Sequence, residues 1–351
     1  MPPLSHRIGT HADGNRLSGN RAGEVSEVRR LLAVVLVLVA TRAHGDLLRY
    51  FSGSELDAKP KLHGPYLILD GGGNDQTAAM QATIDRVRGC ADCDARLDVV
   101  VLRASGAGEY NPWFMALRGL NSVTTFVITD RQSADRADVV SAVRNAEIVF
   151  FSAGDQCNYV RWIKGTRTAE AVESVYRRGG AVGGSSAGLA IQGEFVYDSC
   201  SDQSAESKNV LLDPYSIEVS LSRNFFKWPA MRGIITDAHF KQRDRMGRTL
   251  VFMARILAAG DIYRVEGVGV SEDTGFLVDR KGVGRVMGKG PVHVIVADHK
   301  PQVIERATPL TYRGYKIWRF ETGDTIDLGR LPKTPAKVID VVKGQLSGDP
   351  Y

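Results

Sequence analysis

In Ala181-Val182-Gly183-Gly184-Ser185-Ser186-Ala187-Gly188-Leu189-Ala190, a strand, a Gly-x-Ser-x-Gly turn and a helix start follow one another without a spare residue. The stretch reads as a nucleophile elbow. Gly184 and Gly188 let the backbone turn sharply and pack closely, which lifts the Ser186 hydroxyl above the sheet and aims the Ala187 amide at a developing oxyanion. Ser186 is therefore the candidate nucleophile. An ordinary Gly/Ser-rich turn is the alternative, and the strand-turn-helix context favours catalysis provided that a base and oxyanion donors are found elsewhere.

The elbow closes a series of similar units. A buried strand over 65–70 ends in Gly71-Gly72-Gly73 and is followed by helical spacing to Arg88. Strands over 98–103, 124–129 and 147–151 then alternate with helices over 134–145 and 168–178. Continuous Val/Ile/Leu strands between helices predict an α/β fold, a mostly parallel sheet with helices on both faces and a site at the carboxyl ends of the strands. The glycine triplet lacks the Gly-Lys-Ser/Thr ending of a phosphate loop and is expected to be a tight turn beside the site. Beyond Ser201 a strand over 233–237 and a helix over 247–259 precede a β-rich C-terminal extension, with strands over 265–270, 275–278, 292–296 and 315–320.

The 351 residues are 43% hydrophobic, enough for a large buried core. Forty-five basic against 40 acidic residues leave a net charge of only +5. With no basic tract interleaved with aromatics, nucleic-acid binding is not expected. Arg29-Arg30, the apolar run Leu31 to Ala40, and the small residues Thr41 and Ala43 have the order of a signal peptide. The run is short of the about 20 residues of a membrane span, so export is favoured over an N-terminal anchor facing outside. Residues 1–27 form a long polar leader, which allows an initiation site downstream of Met1. The expected organisation is a leader over 1–45, a linker over 46–63 and one domain over 64–351, secreted or periplasmic. Cys90, Cys93, Cys157 and Cys200 suit an oxidising compartment, although their pairing is not readable. Cys90-Ala-Asp-Cys93 has the spacing of a redox or zinc half-site, but no second pair or nearby histidine completes a metal site, so a local disulfide or free thiols is expected there.

Three histidines lie downstream of Ser186. His293 sits in an apolar alternation, which suits a structural position, and His299 sits in a charged turn. His239 ends the strand-like run from Ile234 and precedes a loop that enters a helix, so it is the candidate general base. Arg243, Arg245 and Arg248 crowd that helix start, where the dipole is already positive, an arrangement that suits an anion such as a substrate carboxylate. Glu272 in the turn after Val270 is the candidate orienting acid, with Asp273 and Asp237 as rivals. The Gly154 amide is paired with that of Ala187 as oxyanion donor, and the Gln156 side chain is placed to hold substrate.

These residues together resemble the cyanophycinase and dipeptidase E family of serine peptidases over roughly 64–328. The likeness rests on Ala153-Gly154-Asp155-Gln156, the elbow Gly184 to Gly188, the segment Asp237 to Arg248, and the turn Ser271-Glu272-Asp273-Thr274. The order Ser186, His239, Glu272 fits this family and contradicts an α/β-hydrolase, in which the acid precedes the histidine. The resemblance implies a class I glutamine amidotransferase-like (flavodoxin-like) fold and a homodimer. It also implies hydrolysis of aspartyl peptide bonds without metal or organic cofactor. For cyanophycinases the substrate is cyanophycin, a polyaspartate bearing arginine, cut to β-aspartyl-arginine dipeptides. It places Gln156, Asp237, Arg243, Arg245 and Arg248 against the substrate. Ala153, Ala238 and Asp244 depart from the pattern and leave another acidic peptide, an aspartyl dipeptide, or an inactive peptide-binding homologue as alternatives.

Overall fold

The computed structural model describes residues 47–351 apart from 75, 202 and 334, so the expected leader lies outside the described residues. Five strands form a continuous parallel core, in spatial order Leu120–Val127, Leu97–Arg103, Ile148–Phe151, Ala181–Ser185 and Tyr66–Asp70. Their side chains alternate with the period of two that a pleated strand imposes. Leu67, Leu69, Val100, Leu102, Val149 and Phe151 face the helices Ala137–Asn145 and Arg167–Arg177. Ile68, Val99, Val101 and Phe150 face Thr77–Arg88 and Tyr110–Met115 on the other side. An α/β architecture with helices on both faces follows from that alternation.

The sheet is less parallel than the sequence suggests. Leu48–Gly53 pairs antiparallel with Leu120–Val127, and Thr274–Asp279, Val283–Gly288 and Thr325–Asp327 add three antiparallel strands at the other edge. The segment expected to be a linker over 46–63 therefore supplies an edge strand. It was hidden because Leu-Arg-Tyr-Phe-Ser-Gly carries little apolar alternation. Likewise the helix expected over 134–145 is broken into Arg131–Ala134 and Ala137–Asn145, with Asp130 capping the first piece by accepting from the Ser133 amide.

The β-rich part after Gly260 is shared between two sheets. Val265–Val270 lies in a second mixed sheet, parallel to Ile234–Asp237 and antiparallel to Val292–Ala297, while the next strand, Thr274–Asp279, joins the first sheet. The helix Met246–Ala259 covers one face of the second sheet, and Val268, Val270, Val292 and Val294 on its other face share a core with the first. The turn 271–273 thus crosses between sheets. It brings the carboxyl ends of Ala181–Ser185 and Ile234–Asp237 to one place.

At the opposite end of the parallel strands, Asp98 accepts from the Ala58 and Asn121 nitrogens and the Ser122 hydroxyl, while the Asp98 amide donates to Glu147. Burial and the nearby Asp98 charge push the Glu147 carboxyl up to about 7. The folded chain therefore holds a proton that the unfolded chain releases at its ordinary value. The associated stability is full below that ordinary value and is lost as pH rises through about 7. Unfolding free energy should fall by on the order of 2–3 kcal/mol between about pH 5 and 8 from this group. Glu147→Gln should flatten that slope in denaturant titrations.

Candidate active site

Ser186 stands between the strand Ala181–Ser185 and the helical turn Ala187–Ala190 with φ 52° and ψ −105°. A serine held in this sparsely populated region is strained and must be fixed by its surroundings. The Ser186 amide donates to the Asp70 carbonyl at 3.0 Å. The two flanking glycines are required by close approach rather than by flexibility. A Cβ at Gly184 or at Gly188 would stand 2.1 Å from the Phe151 carbonyl oxygen.

His239 also has a positive φ, 47°. Its amide donates to the Gly71 carbonyl at 2.8 Å, and the Phe240 amide to the Val270 carbonyl at 3.1 Å, which stitch the loop to both sheets. The imidazole lies under the glycine triplet, where a Cβ on Gly72 would come within 2.3 Å of the ring. The expected tight turn is therefore the roof of the base. His239 Nε2 is 2.7 Å from Ser186 Oγ and Nδ1 is 2.6 Å from Glu272 Oε1. With Nδ1–H directed at the carboxylate, Nε2 is left to accept the serine proton. The residue is 6% exposed. Burial holds its basicity below the usual histidine range, Arg243 and Arg245 lower it further, and the hydrogen bond to Glu272 opposes them. The lowered basicity favours the neutral ring, the form that proton abstraction by a candidate base requires.

The competing histidines and acids lie elsewhere. His293 is buried between Phe240 and Tyr351, neither ring nitrogen has a hydrogen-bond partner among the described residues, and burial depresses it to about 4. His299 stacks on Tyr312, and its ring nitrogens lie 2.9 Å from the Lys300 and Arg313 carbonyl oxygens, which can only accept from them. Asp273 accepts from the Asn74 amide at 2.7 Å and so ties down the glycine loop rather than the imidazole. Asp237 takes the guanidinium of Arg248 on both oxygens, at 2.5 and 2.7 Å, together with the Thr249 hydroxyl and Arg245.

A cleft of about 280 Å³ opens over Ser186 and is lined by Gly154, Gln156 and Ala187 on one side and by Asp237, Arg243, Arg245 and Arg248 on the other. The structure therefore gathers the sequence-proposed substrate and oxyanion residues around one nucleophile. The Ala187 amide begins a helical turn, where backbone donors lack intrahelical partners. Gln156 Nε2 reaches the Tyr197 carbonyl at 3.5 Å. Asp237 and Arg248 are both 3% exposed and bound to each other, so they form the back wall, while Arg243 is the accessible cation.

Two contributors to the site were not evident in the sequence. Gln242 Oε1 accepts from the Glu272 amide at 2.9 Å, fixing the turn that carries the acid. The Cys157–Cys200 disulfide joins the helix that starts at Gln156 to the segment after Ser199, another residue of the cleft. Cys90–Cys93, outside the cleft lining, forms the local disulfide that was one of the two expected outcomes. Gln242 had one available signal, its place three residues after the base. Among the described residues no group of three or more His, Cys, Asp or Glu side chains is arranged to hold a metal ion.

No family model matches the chain. A cyanophycinase from Nostoc sp. is 26% identical over 224 residues, covering 62% of this chain and 69% of that protein. A cyanophycinase from Synechococcus elongatus is 26% identical over 178 residues, covering 50% of each. Among solved structures, a peptidase from an acI-B1 Actinobacterium superposes with a TM-score of 0.51 at 15% identity, over 76% of this chain and 98% of that one.

Proposed function

We propose that this chain, a serine-type peptidase of the cyanophycinase and dipeptidase E family, is exported and hydrolyses aspartyl peptide bonds, with cyanophycin as its substrate. The observation that carries the reading is the continuous hydrogen-bonded chain from Ser186 through His239 to Glu272, opening onto a cleft walled by arginines. Ser186 attacks the scissile carbonyl as His239 takes its proton, the Gly154 and Ala187 amides hold the oxyanion, and His239 returns the proton to the leaving amine. Water then releases the acyl group by the same path. The parallel five-stranded core with the elbow at its carboxyl end supports the glutamine amidotransferase-like description.

The intact triad supports catalysis over an inactive binding homologue. Two disulfides support an oxidising compartment, which is the environment that the apolar run Leu31 to Ala40 would lead to. Among the described residues no helix is long and apolar enough to cross a membrane.

Incubation of the purified protein with insoluble cyanophycin should release soluble β-aspartyl-arginine, identified by mass spectrometry. Cleavage of a simple aspartyl dipeptide with no release from cyanophycin would move the assignment to a dipeptidase. Turnover of neither would overturn the aspartyl specificity.

A further inference from the structure

Arg243 lies where the acid Glu272, the cleft over Ser186 and the loop that carries His239 meet, and the mechanism above gives it no part in the proton transfer. Its Nε is 3.4 Å from Glu272 Oε1, the oxygen that also holds His239 Nδ1. Its side chain is 54% exposed and borders both the cleft over Ser186 and a neighbouring pocket of about 380 Å³ lined by Ser204 to Lys208. Its amide donates to the His239 carbonyl at 3.0 Å, so backbone and side chain belong to the loop that presents the base. The other two arginines differ, because Arg248 is bound by both oxygens of Asp237 and Arg245 is held by Asp237 and the Ala238 carbonyl.

We propose that Arg243 couples the charge of the substrate to the strength of the base. In the empty cleft its guanidinium rests on the Glu272 oxygen that orients His239, and a carboxylate of the bound peptide draws it away. Glu272 then acts on His239 alone, and the imidazole becomes a stronger base when an acidic substrate is in place. A neutral peptide of the same shape leaves Arg243 on Glu272 and meets a weaker base. Arg243 is on this account a positioning and specificity-determining residue, acting on the proton transfer through Glu272. The inference rests on the reading of the cleft as a site for carboxylate-bearing peptides.

The surroundings leave few other groups to produce such coupling. Glu272 faces the ring from the turn between the sheets, Arg243 and Arg245 face it from its own loop, the glycine loop offers Gly72, and the elbow offers the Ser186 hydroxyl. The nearest strand-end carboxylates are engaged, Asp70 by the Gly72 amide and Asp237 by Arg245 and Arg248. Both arginines oppose protonation of His239, and only Arg243 is exposed enough to be drawn off. Linkage makes the effect reciprocal, so the carboxylate must bind more tightly when His239 is protonated.

The test is the titration of the His239 ring by proton NMR in the Ser186→Ala protein, which binds without turnover. N-acetyl-aspartate should move the midpoint to higher pH, and N-acetyl-asparagine should not. Arg243→Gln in the same background should raise the midpoint of the empty site and remove most of the further response to N-acetyl-aspartate. The affinity of N-acetyl-aspartate should increase roughly 5- to 10-fold as pH falls through the midpoint, and this gain should be lost with Arg243→Gln. An unchanged or lowered midpoint in the empty Arg243→Gln protein overturns the proposal. So does an equal ligand response with and without Arg243, which would mean that the ligand charge acts directly, or no binding of N-acetyl-aspartate at millimolar concentration. None of these readings needs hydrolysis, so failure of the enzyme to cut aspartyl peptides leaves the measurement independent.

Discussion

Ser186→Ala should lower kcat on an aspartyl peptide by roughly a million-fold, and His239→Ala by a similar factor, while the double variant should lose little more. The non-additivity follows from the geometry. Ser186 Oγ is 2.7 Å from His239 Nε2, and a hydroxyl without the imidazole, or an imidazole without the hydroxyl, has lost the same proton transfer. Glu272→Gln should cost about 10⁴-fold, because an amide at 2.6 Å from Nδ1 can present its N–H and favour the wrong tautomer. KM should change little in all three, since none of these side chains is proposed to grip the peptide. Purified variants with unchanged circular dichroism, assayed under saturating substrate, decide the matter. Losses that multiplied in the double variant would mean that the two residues act in separate steps, and the triad assignment would fail.

The residues of the proposed triad were legible because each sits at the end of a strand. Ser186, His239 and Glu272 follow Ala181–Ser185, Ile234–Asp237 and Val265–Val270, and strand ends are recognisable from apolar runs that stop at Gly, Ser or Asp. What the linear pattern did not carry was the partition of strands. Val265–Val270 and Thr274–Asp279 are separated by three residues and look like one hairpin, yet they belong to different sheets. Both are buried on both faces, so the alternation that would reveal their partners is absent. Leu48–Gly53 was missed for the opposite reason, as an edge strand with polar and aromatic residues on a half-exposed face.

The arginine cluster shows the same limit at the level of charge. Counting three cations after the base points to an anion, but the sequence does not say that Asp237 already supplies one. Two of the guanidiniums are held by it, and the Arg243 side chain, 54% exposed, is far more open to solvent than that of Arg245 at 16% or Arg248 at 4%. The departures at Ala238 and Asp244 fall in the same loop. Ala238 is buried and gives its carbonyl to Arg245, while Asp244 receives the Tyr351 hydroxyl at 3.1 Å. Neither residue takes up the Arg243 side chain. The loop can therefore differ from its relatives in sequence and still leave Arg243 available.

Asp237→Asn is expected to destabilise the protein by about 3–5 kcal/mol at pH 7, the cost of leaving buried charge without its counter-ion. The carboxylate is 3% exposed and accepts from Arg248 on both oxygens, from Thr249 and from Arg245, so an amide of the same shape fills the space but repels one guanidinium edge. Burial pushes the Asp237 carboxyl up, and the charge and hydrogen bonds of Arg248 together with Arg245 more than offset it, holding the group below the ordinary carboxylate range. A depressed folded value means that the stabilisation is full above the unfolded value and lost as pH falls through the folded one. The gap between the two proteins should therefore be constant near neutrality and close only in acid. Adding Arg248→Met should recover part of the loss at pH 7, because the most deeply paired guanidinium is then gone. Denaturant unfolding of the three proteins at about pH 7 and pH 3 reads these differences. If Asp237 were instead a ligand for the peptide, its replacement would raise KM and leave the unfolding free energy within about 1 kcal/mol of the unmodified chain, since no buried partner would be abandoned.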